Sequence, residues 1–201
     1  MLLYGRMGSP FVRRTAILLD RLGIGFEIEP IAAIADQTEL RRTSPVGRVP
    51  ALRIGDRVLV DSLAIALTLL EEHDPEGAHF PRHGPELAEA HQRLALSNGA
   101  TEKFVAAYYE QGRRPPEKIY QDWIDLCHAQ SRSALDALDA RLGDGPPDPV
   151  RFGYVETVIA TGLQFMETQA PGFFEPERHP RLASLHRTLE ASDAFRRRPA
   201  A

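Results

Sequence analysis

The sequence lacks the marks of several protein classes. Its 201 residues hold a single cysteine, Cys127, so no intramolecular disulfide can form and the chain suits a reducing compartment. No run approaches the ~18 apolar residues a membrane span requires. The opening "MLLYGRMGSP" has neither the basic region nor the long apolar region of a secretory signal, so a cytoplasmic protein with no membrane partner is expected. A large charge of one sign is also missing. The net charge is −4 and the pI about 6.0, which gives no electrostatic footprint for nucleic acid. The one dense basic run, "FRRRP" at 195–199, reads as a solvated tail. There is no Gly-rich phosphate loop, no HExxH and no CxxC. What is present is 43% hydrophobic and 26% charged residues, an ordinary balance for a chain that buries a core as one large domain or two small ones.

Along the chain, strand and helix signals alternate at first. "MLLYG" is a short apolar run closed by glycine. "SPFVRRTAILLDRLG" follows, with Ser9 as N-cap, Pro10 at the first helical position and Gly23 as the stop. "GFEIEP" alternates as a half-buried strand does, and "DQTELRRTS" carries a weak helical turn. "VPALRIG" and "RVLV", joined through "GD", predict a hairpin, and "SLAIALTLLEEH" a well-buried helix. Residues 73–86 hold three prolines and two glycines, which is linker chemistry. Beyond them only helical patterns recur. Leu87, His91, Leu94, Asn98, Thr101, Val105 and Tyr108 form one stripe, and Trp123, Cys127, Ala134, Leu138 and Leu142 a second. "RFGYVETVIATGLQFMETQA" is a third helix, with one or two short closing helices after it. The expected organisation is an α/β domain over residues 1–75, a linker over 76–86 and an all-α domain over 87–201.

Two strand-to-helix corners are candidates for chemistry. Ser9 ends a strand and opens a helix, and Asp61–Ser62 repeat the arrangement. Capping alone accounts for both pairs and is worth ~1 kcal/mol to a helix. The functional alternative is that strand C-termini are where α/β folds seat ligands. A hydroxyl beside free helical N–H groups suits an anion, and Asp61 suits an ammonium. The histidines at 73, 79 and 83 lie in a Pro/Gly-rich connector without ligand spacing, so no metal site is assigned. Cys127 lies on an apolar stripe and reads as a structural thiol. His91, Asn98 and Thr101 either line a cleft or are satisfied core groups.

In that order and spacing, "SPFVRRTAILLDRLGIGFE", "SPVGRVPAL" and "DSLAI" resemble the N-terminal half of glutathione S-transferases. The helical half, ending "HPRLASLHRTLEASDAFRRRP", resembles that family's C-terminal domain. The likeness is greatest to bacterial glutathione S-transferase-like proteins with a "SPFVRK" opening. It implies a thioredoxin-like domain followed by a helical one, assembled as a homodimer. It implies glutathione as co-substrate, with no permanently bound cofactor, and addition of its thiolate to a small hydrophobic electrophile. This is detoxification chemistry of the EC 2.5.1.18 type. A non-enzymatic binding or regulatory protein of the same fold, or a glutathione-dependent peroxidase or isomerase, is the alternative.

By the same resemblance Ser9 falls at the thiol-activating position, with Tyr4 as second choice and a strand core residue as its plainer role. Val49 falls at the residue whose backbone pairs with the cysteinyl part of glutathione, and Pro50 at a cis-proline. Asp61 and Ser62 fall on the pair that binds the γ-glutamyl end, and Arg48 is a candidate for the glycyl carboxylate. Phe11, Phe104 and Tyr108 are expected to wall the electrophile site. Relatives open the core helix with Ser/Thr-x-x-Asp, whereas this chain has "GYVE" at 153–156, which predicts a softer helix start.

Overall fold

The computed structural model describes residues 1–145 and 147–200. The chain opens with β1 (Leu2–Tyr4) and α1 (Pro10–Arg21), where the proline's missing N–H costs no intrahelical bond. β2 (Glu27–Glu29) follows, then α2 (Gln37–Thr43) and the hairpin β3 (Ala51–Ile54) and β4 (Arg57–Val60). α3 (Ser62–His73) completes the α/β part. The four strands form one mixed sheet in the order β2-β1-β3-β4. β1 and β2 are parallel, and the other two pairs are antiparallel. This is the thioredoxin-like arrangement that the resemblance implies. Alternation along the strands splits the core in two. Leu3 and Leu52 join the main core with Val12 of α1 and Ile65 and Leu69 of α3. Tyr4 and Ala51 turn to the other face, against Ile31 and Leu40.

The helical part contains α4 (Gly84–Arg113), α5 (Gln121–Asp139), α6 (Tyr154–Gln169), α7 (Pro180–Glu190) and the short α8 (Asp193–Arg196). α6 is buried along most of its length and packs on α1, α4 and α7, so it is the element the two halves share. No helix among the described residues is long and apolar enough to cross a membrane.

Each predicted stripe meets the true packing face only in part: Leu94 and Thr101 on α4 and Cys127 and Leu138 on α5 are buried, and the other predicted residues are half-buried or exposed. On α4 the buried residues are Ala90, Leu94, Ser97, Ala100, Thr101, Phe104 and Ala107, while His91 is exposed and Asn98, Val105 and Tyr108 are half-buried. Small side chains set this face because they let the neighbouring helix come close. Ser131 on α5 reaches the Ala100 carbonyl and donates to it at 2.8 Å. On α5 the buried set is Ile124, Cys127, Ser131, Leu135, Leu138 and Asp139, and Trp123 is 38% exposed with Lys103 against its ring.

The basic C-terminal run is bound to the protein instead of being a solvated tail. Phe195 is fully buried. Arg198 forks onto Asp20 at 2.6 and 2.8 Å, and its carbonyl accepts from Arg13 Nε at 2.7 Å. Arg196, Arg197 and Pro199 of the run face solvent. The start of α6 is also firmer than predicted. Glu156 accepts from the Gly153 N–H at 2.9 Å, and Tyr154 N–H donates to the His79 carbonyl at 2.8 Å. A Cβ at 153 would lie 2.7 Å from that His79 oxygen, so glycine is what lets the linker pass there. The linker itself is fastened by Asp74, whose carboxylate accepts from the amides of Ala78, His79 and Phe80.

Candidate functional site

Sheet register brings the candidate residues to one place. Tyr4 pairs with Ala51 and Ala51 with Val60, so the end of β1, the start of β3 and the end of β4 form one row across the sheet. The residues just past that row are the β1–α1 loop leading to Ser9, the Val49–Pro50 peptide, and Asp61–Ser62. The Val49–Pro50 bond is cis, as the resemblance implies. Gly5 has a φ of +136°, and a Cβ there would lie 3.1 Å from Val49 Cβ and 2.4 Å from Val12 Cγ2. The glycine therefore lets the β1–α1 loop close on Val49. Gln37 of α2 fixes the other side by donating to the Gly47 carbonyl at 2.8 Å. Val49 is half-buried, and neither its N–H nor its C=O has a backbone partner among the described residues. Unpaired backbone beside a sheet edge can receive an extended peptide as an added strand. Arg48 next to it is exposed.

The two corners use their polar side chains differently. Ser9 sits at the N-cap of α1 in extended backbone, but its hydroxyl makes no capping bond. Its carbonyl accepts from Arg13 N at 2.9 Å and its amide donates to Arg6 O at 3.0 Å. The half-buried Ser9 hydroxyl has no hydrogen-bond partner among the described residues and stands at a helix N-terminus, where free N–H groups favour negative charge. Asp61, by contrast, does cap its helix. Its Oδ1 accepts from Leu63 N at 2.7 Å and Ala64 N at 3.4 Å, while Oδ2 has no partner among the described residues. Asp61 holds a φ of +72°, unusual for a side chain larger than glycine.

Ser62 faces inward, with 2% of its surface exposed. Its Oγ accepts from Arg14 Nη2 at 2.6 Å and Nε at 3.2 Å. Arg14 Nη1 donates to Asn98 Oδ1 at 2.8 Å, which accounts for the polar residue in the α4 stripe. The Tyr154 hydroxyl donates to the Ser62 carbonyl at 3.3 Å. Burial raises the Tyr154 phenol above its ordinary range, with Arg14 opposing and Asp61 reinforcing that shift. Arg14 was legible only as one half of "RR", and nothing local distinguishes it from its neighbour.

Two expected residues lie elsewhere. Tyr4 is a strand core residue, 7% exposed, with Ile31, Leu40 and Ala51 around it, because β-strand alternation turns it to the α2 face. Phe104 is 1% exposed and packs on Phe165, Phe173 and His128 inside the helical part, so it cannot wall an open site. Phe11 is half-buried with the Arg14 guanidinium over its ring at 4.8 Å. Tyr108 is half-buried and meets Phe165 edge to face at 5.9 Å. A small cleft of about 20 Å³ between the start of α1 and α6 is lined by Met7, Gly8, Pro10, Gln164, Phe165 and Thr168 together with Arg13, Thr161, Gln169 and Ala200, and Ser9 is not among its lining residues. Of these residues, Met7 and Phe165 went unnoticed in the sequence because each reads as an ordinary apolar position.

A thioredoxin-like sheet with an open backbone edge, followed by a helical bundle, defines a class of two-part α/β proteins. Comparison with known proteins narrows it. Residues 3–77 match the family model described as glutathione S-transferase, N-terminal domain. The chain is 34% identical over 156 residues to glutathione S-transferase F13 of Arabidopsis thaliana, spanning 71% of this chain and 69% of that one. It is 28% identical over 200 residues to the uncharacterized GST-like protein YibF of Escherichia coli (strain K12), spanning 98% and 97%. A glutathione transferase family member from Pseudomonas fluorescens Pf-5, crystallised with bound glutathione, superposes with a TM-score of 0.86 at 25% identity. That match covers 100% of this chain and 98% of the other. The protein belongs to the glutathione S-transferase family.

Proposed function

We propose that this protein is a glutathione transferase that binds glutathione at the sheet edge and stabilises its thiolate for attack on a small electrophile. The observation that carries the reading is the unpaired backbone of Val49, one residue before a cis-proline and beside the uncommitted Ser9 hydroxyl. The glutathione bound to the Pseudomonas relative supports the choice of peptide. The Val49 amide and carbonyl pair with the cysteinyl residue. Asp61 Oδ2 meets the γ-glutamyl ammonium, the Ser62 corner takes the neighbouring carboxylate, and Arg48 takes the glycyl carboxylate. Residues 76–86 are taken as the linker between the glutathione half and the electrophile half.

Ser9 is then the thiol activator. A free thiol of pKa ~8.5 is only a few per cent ionised at neutral pH. A charge-assisted O–H···S⁻ bond contributes ~1.5–3 kcal/mol, and the α1 N-terminus adds to it. The attack forms a carbon–sulfur bond; in a substitution the leaving group departs with its bonding electron pair, and in an addition the anion formed on the electrophile takes a proton from solvent. Met7, Phe165 and Tyr108 wall the electrophile. A homodimer is part of the reading, and exposed Val58 on β4 and Leu67 on α3 are apolar residues suited to an interface. A location in the cytoplasm and a role in detoxification accompany the transferase reading.

The deciding experiment is retention on immobilised glutathione, followed by turnover of aryl halides, enals, isothiocyanates and hydroperoxides. Ser9→Ala is expected to lower turnover by about 10- to 100-fold and to raise the bound thiol's pKa, the equivalent of one charge-assisted bond. Stability should barely move, because Ser9 makes no side-chain cap. Retention without turnover of any substrate would sink the transferase reading and leave a glutathione-binding module. Turnover of hydroperoxides alone would make the protein a peroxidase.

A further inference from the structure

We propose that the connection between α4 and α5 carries a second binding site, for a small aromatic carboxylate, independent of the glutathione reading. Glu110, Arg114, Lys118, Tyr120 and Trp123 line a cleft of about 280 Å³ there. That is just below the roughly 300 Å³ at which pockets for drug-sized ligands begin, so the occupant has one or two rings. The cleft lies apart from the sheet edge. Glu110 is roughly 18 Å along α4 from Asn98, at 1.5 Å per residue. It also projects about 200° around the helix axis from Tyr108, so the cleft opens away from Phe165, which Tyr108 meets.

Two features of the lining select the ligand. The first is aromatic surface left in solvent: Tyr120 is 60% exposed and Trp123, the chain's single tryptophan, 38%. The second is positive charge. Lys103 and Lys118 are the only lysines in a chain that otherwise uses arginine. Lys118 lines the cleft, and Lys103 Nζ lies 5.6 Å from the Trp123 ring centroid. Neither ammonium has an ion-pair partner among the described residues. Glu110 holds the walls together. Its side chain is only 10% exposed, and its Oε1 lies 2.8 Å from Arg114 Nε and accepts from the Tyr120 amide at 3.3 Å. One carboxylate thus joins the end of α4 to the start of α5 and is itself neutralised by Arg114. Pro115 and Pro116 stiffen the chain between, and a 3₁₀ turn over Pro116–Lys118 places Lys118. Two cations against one carboxylate leave the lining with a surplus positive charge. A flat ring seats against Tyr120 and Trp123, and its carboxylate meets the Lys118 ammonium and the terminal nitrogens of Arg114. A cationic ring would face the lysine, and an aliphatic acid would leave both aromatic side chains uncovered.

The single tryptophan makes the test direct, because one indole N–H resonance in the isotope-labelled protein reports on this cleft. The probes are 1-naphthoate, its uncharged counterpart 1-naphthamide, and cyclohexanecarboxylate, an anion without an aromatic ring. 1-Naphthoate should shift the resonance saturably at submillimolar concentration, and the other two should bind at least about fivefold more weakly. Lys118→Ala should weaken 1-naphthoate by about 3- to 10-fold and leave 1-naphthamide unchanged, while Tyr120→Ala should weaken both by about 3- to 10-fold. Both side chains are exposed, so the variants keep the fold. Saturation with S-hexylglutathione, which would fill the glutathione and electrophile sites, should leave the 1-naphthoate titration unchanged. No shift up to about 10 mM, or equal affinity for 1-naphthoate and 1-naphthamide, would overturn the proposal. Displacement by S-hexylglutathione would overturn it too, by assigning the binding to the sheet edge.

Discussion

Arg13 and Arg14 are neighbours in sequence and equals in burial, at 2% and 3% exposure, yet they stand in opposite surroundings. Arg13 faces the C-terminal segment. Its guanidinium forks onto Glu190 at 2.5 and 2.8 Å, donates to the Arg198 carbonyl, and lies 5.1 Å from the Phe195 ring. Arg14 points about one residue's helical rotation away, toward Ser62 and Asn98, and finds only neutral oxygens. The same side chain is a closed clasp on one face of α1 and an open electrostatic contact on the next. A buried charge with its counter-ion inside the fold serves stability. One left with neutral partners leaves binding free energy available to a ligand.

The comparison breaks most visibly at the clasp. Glu190→Ala leaves Arg13 buried without its carboxylate, and removing one member of a buried pair costs ~3–5 kcal/mol. Thermal or denaturant unfolding should register that loss. The preference for glutathione over an analogue lacking the γ-glutamyl α-carboxylate should stay unchanged in the fraction that remains folded. A shift in ligand preference with intact stability would mean that the two arginines had been assigned the wrong way round.

A smaller effect separates the two helix caps, which differ in the same sense. The Ser9 side chain makes no cap, whereas Asp61 caps α3 through Oδ1 at a φ of +72°. Asp61→Ala loses the cap and keeps the strained backbone, so a loss of ~1–2 kcal/mol is expected. Asp61→Gly loses the same cap but relaxes the backbone, and should be the more stable of the two variants. Both remove the carboxylate and should weaken glutathione alike. Equal unfolding midpoints for the two variants would show that the positive φ costs nothing.

The meeting of the candidate residues at one end of the sheet was legible because its signals are local. A helix opening in Ser-Pro, a proline before a strand and an Asp-Ser after one each depend on adjacent residues, and the register of a hairpin then brings them together. The helical faces were read only in part because alanines and serines, which periodicity counts as weak, help decide where α4 and α5 meet. The clasp was not legible. Arg13 and Glu190 are 177 residues apart, and a run of arginines near a terminus looks the same whether solvated or docked. Arg14 was hidden for a related reason, since "RR" carries no sign of which guanidinium will meet a carboxylate.

The least costly perturbation of the clasp is acidification. His186 on α7 is 6% exposed, with its Nε2 3.8 Å from Glu190 Oε1 and its Nδ1 3.6 Å from Glu167 Oε2. Burial pushes its pKa below the usual imidazole value; Glu167 and Glu190 pull it back up, while Arg13 and Arg187 lower it further. Burial likewise lowers His79 and His128. A histidine depressed in the folded state is protonated first in the unfolded chain. Its contribution to stability is therefore intact above the unfolded pKa near 6.5 and is lost as pH falls below it. Unfolding midpoints should fall between pH 7 and pH 5, each such histidine adding at most ~1.4 kcal/mol per pH unit to the slope. His186→Gln should flatten part of that slope and leave the neutral-pH ligand preference untouched, because it acts on the Arg13 side of α1. An unchanged slope would mean that the carboxylates of Glu167 and Glu190 fully offset the burial of the ring.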